Sequence, residues 1–324
     1  MNLSNTKKIV TSITSKLSSI MALLIVSLIV AVIIPEAFLT SSNMVNIVRQ
    51  MSTNGILTIG MTIVLISGGI DLSVGSVLAV SGVISCGLVS DGVNVWVAVL
   101  LALLTGPVFG IFNGFFVAKL NIPPFIVTLA SMQIGRGIAY VYSSGLPIRS
   151  SNETYNLIGN GYLSFGLFEV PIPIIILILV VIISYLLLHK TKFGNYVFAV
   201  GGNSEAARYS GISVAKTTFL CYVYSGTLSA LVGIILASRM YSGQPTAGEG
   251  YEMDAVAAAV LGGTSFSGGV GNIIGVLFGA LTIGVINNAL NLLNIPFYFQ
   301  DIVKGSVILI AVLLDTLKKR GKGK

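Results

Sequence analysis

Charge is what this sequence most lacks. Only 9% of its 324 residues are Asp, Glu, Lys or Arg, against about 25% in ordinary soluble domains. A chain so poor in charge cannot cover a water-facing surface, so lipid must be the solvent for most of it. Histidine is scarcer still, with His189 alone. That argues against a metal site, and a Ser/His/Asp triad lacks acids near the one imidazole. Cys86 and Cys221 are the only thiols, each inside an apolar run; this pattern predicts packed thiols and no disulfide. No phosphate-binding loop with lysine is found. The Gly-Lys pairs at Gly321 and Gly323 have no Ser or Thr after them, and the Gly-rich run 262–269 has no lysine. The sequence thus predicts a non-enzymatic chain that cannot hydrolyse ATP alone, with no catalytic set, cofactor or metal. The net charge of +7 invites a nucleic-acid reading, but no basic face with interleaved aromatics carries it.

What the chain has is apolar length. Hydrophobic runs occupy 17–34, then roughly 46–66, 73–89, 95–120, 125–142, 172–188, 217–237, 253–261, 273–293 and 299–314. A straight helix needs about 20 residues to cross about 30 Å of hydrocarbon. Most runs qualify, while those near Ser73 and Met253 are short and rich in small residues, as broken or re-entrant segments are. No small-x-small site follows the first run, only Pro35-Glu36-Ala37-Phe38, so it is read as an uncleaved span. The expected fold is an all-α membrane protein, a polytopic helical bundle of about ten spans. Its expected divisions are a tail at 1–16, membrane blocks at 17–188 and 217–316, a polar loop at 189–216 and a basic tail at 317–324.

Charge placement gives the expected orientation. With the N-terminus inside and ten spans, Lys7, Lys8, Lys16, Lys119, Lys190, Lys192, Arg208, Lys216 and the basic tail all face the cytoplasm. Both termini are then cytoplasmic, in the cell (inner) membrane, and so is the loop 189–216. Within that loop, Gly201-Gly202-Asn203-Ser204 reads as a turn ending in a helix cap. Residues 205–210 read as a short helix stopped by Gly211. Such a loop is either a connector made basic to fix orientation or a handle for a partner in water. The outer segment 143–170 is turn-rich, either a small structured cap or a plain connector.

Gly106, Gly110 and Gly114 repeat every four residues, as do Gly271, Gly275 and Gly279, and each trio is followed by Leu-Asn-Ile-Pro, at 120–123 and 293–296. The gaps before the tetrapeptide differ. By span count the two stretches run in opposite directions, which suggests an inverted internal repeat; close helix packing explains the glycines equally. Charges inside the spans are Asp71, Arg136, Glu252, Asp254, Asp301 and Lys304. Asp71, after Gly68-Gly69-Ile70, is either an N-cap at a break or part of a gate. Asp301 and Lys304, three apart, are expected to neutralise each other. Most of these acids lie near ends or breaks, which favours a drive from outside the bilayer over ion coupling within it.

Four stretches carry a resemblance: SGGIDLSVGSVLAVSG (67–82), GGNSEAARYSGISVAK (201–216), QPTAGEGYEMDAVAAAVLGGTSFSGGVGNIIG (244–275) and NNALNLLNIPFYFQDIVKG (287–305). They are similar to the permease subunits of ribose-type ABC importers, over most of the chain from about 46 to 315. The resemblance implies a separate ABC ATPase on the cytoplasmic side, a soluble sugar-binding protein outside, and a second permease chain forming a homodimer in the lipid bilayer. It implies that Gly201, Gly202, Asn203, Ser204, Glu205, Ala206, Ala207, Arg208 and Gly211 dock the ATPase. Asp71, Gly262, Gly263, Gly268, Gly269 and Gly271 are assigned to a gate or hinge. For the substrate path the choices are Asn54, Asn113 and Gln244, because a polyol wants amide partners. The implied cargo is a monosaccharide, ribose first, with other pentoses, hexoses or furanosyl signals as alternatives and a stand-alone secondary carrier as the rival class.

Overall fold

The computed structural model describes residues 19–166 and 168–320. The expected tail at 1–16, the start of the first span and the end of the basic tail at 321–324 lie outside the described residues. The chain is a helical membrane bundle. The first apolar run forms α1 (Ser19–Ile33), and Pro35 opens the one-turn α2 (Pro35–Phe38), proline being acceptable in a first turn but not an interior one. Then follow α3 (Ser41–Ile66), α4 (Val74–Ser90), α5 (Val95–Ala118), α6 (Pro124–Ser143), α7 (Glu153–Asn160), α8 (Ile172–Lys190), α9 (Lys192–Gly202) and α10 (Ser204–Tyr209). The chain finishes with α11 (Val214–Arg239), α12 (Tyr251–Leu261), α13 (Ile273–Leu292) and α14 (Phe297–Arg320).

Four helices, α5, α8, α11 and α13, are long and apolar enough to cross a membrane. They divide by burial. The apolar windows of α11 and α13 are 67% buried, those of α5 and α8 33% and 28%, so the first pair forms the centre and the second its lipid-facing wall. Lipid offers no hydrophobic drive between helices, so close contact must come from small residues. Gly106, Gly110 and Gly114 of α5 lie against α11: a methyl on Gly110 would stand 2.5 Å from Val223 Cα, and one on Gly114 2.9 Å from the Phe219 ring. The second trio packs elsewhere. Gly275 and Gly279 face Gly262 and Ala258 of α12, and Gly271 lies in the loop before α13. The two trios, read as equivalent in the sequence, therefore occupy different surroundings.

A different periodicity is present in the backbone. The bounds of α3 recur in α11 at a displacement of 173 residues (214 − 41 and 239 − 66), and both helices contain 26 residues. Thr40 and Ser213 cap them in the same way, each hydroxyl accepting from the amide three residues on. Asn121 and Asn294 in the two Leu-Asn-Ile-Pro stretches share the left-handed conformation, at φ 54° and 53°, and α6 and α14 begin at the same displacement. The paired helices are antiparallel: Gly60 of α3 meets Ser225 of α11, and Arg49, nearer the start of α3, reaches Asn160, which is held to the end of α11.

Two helices are interrupted at depth. The segment after α3 turns back so that Asp71 stands beside Ser225, halfway along α11, and α4 begins there. At about 1.5 Å per residue, α12 with 11 residues spans about 16 Å, half a membrane. The starts of α4 and α12 touch, Gly75 lying against the Gly248 carbonyl with no room for a side chain.

The all-α expectation is departed from in the segment 143–171. Here β1 (Ile148–Arg149) pairs with β4 (Ser242–Gly243), and β2 (Tyr162–Phe165) with β3 (Phe168–Pro171), both antiparallel. With α7 these strands make a folded cap on one end of the bundle. Tyr155 of α7 is fully buried, its hydroxyl 2.7 Å from Ser85 Oγ. Ser238 Oγ donates to the Tyr155 carbonyl and accepts from the Gly159 amide, which pins the cap to α11. The cap's polar backbone is satisfied by this ladder and these side chains, which a plain connector would leave to water.

Candidate functional site

The opposite end of the bundle carries α9 and α10. Thr191 caps α9, accepting from the Gly194 amide. Gly201 and Gly202 lie in the last turn of that helix, not in the turn expected from sequence. The cap of α10 is Asn203, whose Oδ1 accepts from the Ala206 amide at 3.0 Å; Ser204 is the first helical residue. Gly211, at φ 81°, closes α10 as anticipated, its amide donating to Arg208 and that of Ile212 to Ala207. Ala207 turns inward, while Ser204, Glu205, Ala206, Arg208 and Tyr209 are exposed. A six-residue helix with caps at both ends thus presents one acid and one base to water. His189 is part of the scaffold behind it, stacked on Tyr185 with ring centres 4.7 Å apart.

Just behind α10 is a junction of glycines. Gly201 packs against the Ile66 carbonyl at the end of α3 so closely that a methyl there would overlap it, and the same methyl would lie 2.7 Å from the Gly269 amide. That amide donates to the Ile66 carbonyl at 2.9 Å. Gly268 and Gly269, at φ 84° and 72°, approach Gly201 and Gly202, and Gly268 comes near Gly68. A methyl on Gly271 would meet the Ile66 side chain at 2.5 Å. Part of the expected docking set and part of the expected gate are therefore one contact. Gly262 and Gly263 belong to the neighbouring elbow, Gly262 seated on Val276 of α13.

Asp71 lies apart from that junction, 1% exposed. Its Oδ1 accepts from the amide and hydroxyl of Ser73, at 3.1 and 2.6 Å, and its Oδ2 from Ser225 Oγ at 2.8 Å. Asn113 of α5 donates to Ser73 Oγ at 2.9 Å, and the Tyr222 hydroxyl donates to the Ile70 carbonyl. The cap position of α4 is Ser73 rather than Asp71, so the carboxylate ties the break to α11 and α5. Asn113 is thereby brought to Asp71. Asn54 is buried in α3, where its neighbour Gly55 faces Leu177 and Leu277, and belongs to neither group.

Gln244 is half-buried in the second break, beside Pro245. The Pro245 and Ala247 carbonyls both accept from Nη1 of Arg136 on α6, the latter at 2.8 Å. Arg136, partnerless in sequence, thus closes this break from another helix. The expected pairing of Asp301 with Lys304 is not what forms. Lys304 lies 3.6 Å from Asp254 of α12, which also accepts from Asn287 of α13 at 2.9 Å, while Asp301 is exposed. The sequence analysis missed Ser73, Ser225 and Asn287; serine and asparagine are too common in apolar helices to signal a partner without the fold.

Residues 43–312 match the family model described as "Branched-chain amino acid transport system / permease component". The chain is 46% identical over 305 residues to the ribose import permease protein RbsC of Bacillus subtilis (strain 168), covering 94% of this chain and 93% of that one. It is 45% identical to the RbsC of Escherichia coli (strain K12), over 93% and 94% of the two chains. With the L-arabinose transport system permease protein AraH of Escherichia coli (strain K12) the identity is 41%, over 90% and 88%. No solved structure matches the chain.

Proposed function

The chain belongs to the family of branched-chain amino acid transport system permease components, and on that premise we propose that it is the membrane-spanning subunit of an ATP-binding-cassette importer for ribose. Ribose is preferred because relatives named for ribose import are 45–46% identical over more than nine-tenths of the chain, above the 41% of the arabinose permease. The observation that carries the mechanism is the capped, exposed α10 set directly behind a glycine junction that touches both helix breaks. A separate ATPase grips Gly201–Gly211 through Ser204, Glu205, Ala206 and Arg208. Movement of α10 passes to the ends of α3 and α12, and the halves of the bundle exchange the side to which their cavity opens.

The finer arrangement follows the same reading. Ten helices, α1, α3–α6, α8 and α11–α14, cross or enter the bilayer, with α4 and α12 as half-spans and both termini in the cytoplasm of the cell membrane. The 173-residue displacement, the matched caps and the antiparallel pairing of α3 with α11 support an inverted repeat of α3–α6 and α11–α14. Two copies form the pathway as a homodimer, the cap containing α7 receives the sugar-binding protein, and Gly262–Gly271 with Asp71 act as the gate.

The test is ribose uptake by proteoliposomes holding this chain, its ATPase and the binding protein. Uptake should require ATP inside or outside according to the side on which α10 lies. Ribose counterflow by the chain without any ATPase would instead establish a stand-alone carrier.

A further inference from the structure

We propose that Arg136, Gln244 and Glu252, gathered at the break between α11 and α12, form a polyol-binding station on the transport path. The proposal rests on the importer reading above and names the side chains that meet the sugar within the bundle. Arg136 is the thirteenth residue of the 20-residue α6, about 10 Å from its nearer end at 1.5 Å per residue. A guanidinium at that depth cannot face hydrocarbon without large cost and must border protein or water. Its Nη1 is held by the Pro245 and Ala247 carbonyls; no other hydrogen bond of this guanidinium is found among the described residues.

Two carboxylates share the place. Glu249 and Glu252 lie within electrostatic reach of Arg136, yet neither forms an ion pair with it within 4.0 Å among the described residues. Glu252 sits at the start of α12, its Oε2 2.8 Å from where a methyl on Gly75 would be, so it lies against the head of α4. Thr246, Glu249 and Met253 are exposed on the same segment, as are Gln133 and Gly137 on α6. The result is a patch of one cation, two anions and an amide, partly open, inside an apolar bundle.

The other break shows what a closed version looks like. There Asp71 is almost wholly buried and each of its oxygens has a partner from Ser73 or Ser225. Gln244 stands 173 residues after Asp71 (244 − 71), at the equivalent point of the second break, but its surroundings are half-open. Unspent N–H donors beside unspent carboxylate oxygens suit a neutral ligand that both donates and accepts, as sugar hydroxyls do. A discontinuous helix at membrane depth is also where transporters place such sites.

The experiment uses the full chain in proteoliposomes with its ATPase and binding protein. Glu252→Gln keeps the shape and removes the charge. It should lower ribose uptake per ATP hydrolysed by about tenfold or more, the loss expected for a hydrogen bond to a charged group, while the complex still assembles. Arg136→Lys should do likewise. Independently, Thr246→Cys should react with a membrane-impermeant charged methanethiosulfonate, and ribose should slow the reaction. Wild-type uptake rates in both charge variants would overturn the proposal. So would a Thr246→Cys thiol that reacts only with a lipid-soluble maleimide. If the wild-type complex takes up no ribose, the importer reading falls, while the labelling result still decides whether this station faces water.

Discussion

Replacing Gly201 by alanine is the sharpest perturbation of the junction behind α10, because its neighbour supplies the control. A methyl on Gly201 overlaps the Ile66 carbonyl and crowds the Gly269 amide at 2.7 Å. Both obstacles are backbone, so neither can swing away as a side-chain tip would. Overpacking of this kind costs about 1–3 kcal/mol, and the upper end applies where backbone must shift. Gly202, the next residue, is also helical but exposed, with nothing near its added methyl. There alanine should be neutral or stabilising, by up to about 1 kcal/mol, since it lowers the entropy cost of ordering the helix. The assay is thermal unfolding of the two purified variants in the same detergent, paired with ATP hydrolysis by the assembled complex. Gly201→Ala should melt below Gly202→Ala and should weaken the link between hydrolysis and uptake. Equal melting and equal coupling would refute the reasoning, because they would mean that the Ile66 contact can open without consequence.

Three further outcomes are expected. Ser225→Ala removes one of three donors to the buried Asp71 carboxylate and should cost about 1.5–3 kcal/mol in detergent unfolding; an unchanged melt would show that Ser225 does not hold the break. Lys304→Met leaves Asp254 buried without its cation and should cost on the order of 3–5 kcal/mol, whereas Lys304→Met with Asp254→Asn should recover much of that; strictly additive losses would deny the coupling. Glu205→Lys and Arg208→Glu should each abolish co-purification of the ATPase while the chain still inserts, and retained co-purification with retained transport would dismiss α10 as the docking element.

How far the sequence could be read depended on whether a feature was local. The stop at Gly211 was legible because a left-handed residue after a short polar helix is set within a few residues. The turn at 201–204 was misread for the complementary reason: glycines usually break helices, yet here α9 keeps Gly201 and Gly202 because Ile66 and Gly268–Gly269 leave no room for anything larger. That demand comes from segments more than 60 residues away and leaves no local trace. The pairing of Lys304 failed likewise, since helical spacing pointed to Asp301 while the packing of α12 against α14 offered the more buried Asp254. Leu-Asn-Ile-Pro pointed to related halves, but the glycine trios suggested the wrong alignment; helix bounds and left-handed asparagines give a displacement the residues alone did not reveal. The strands of the cap escaped notice because two- and four-residue strands carry too little alternation to register.

The central claim is that α10 faces the compartment where nucleotide is bound and is held there by a motor. Ser204→Cys in intact cells, challenged with an impermeant thiol reagent, tests this most directly. The account predicts no labelling from outside, rapid labelling in inverted vesicles, and protection in those vesicles when the ATPase is present. Labelling of intact cells from the outer side would contradict it.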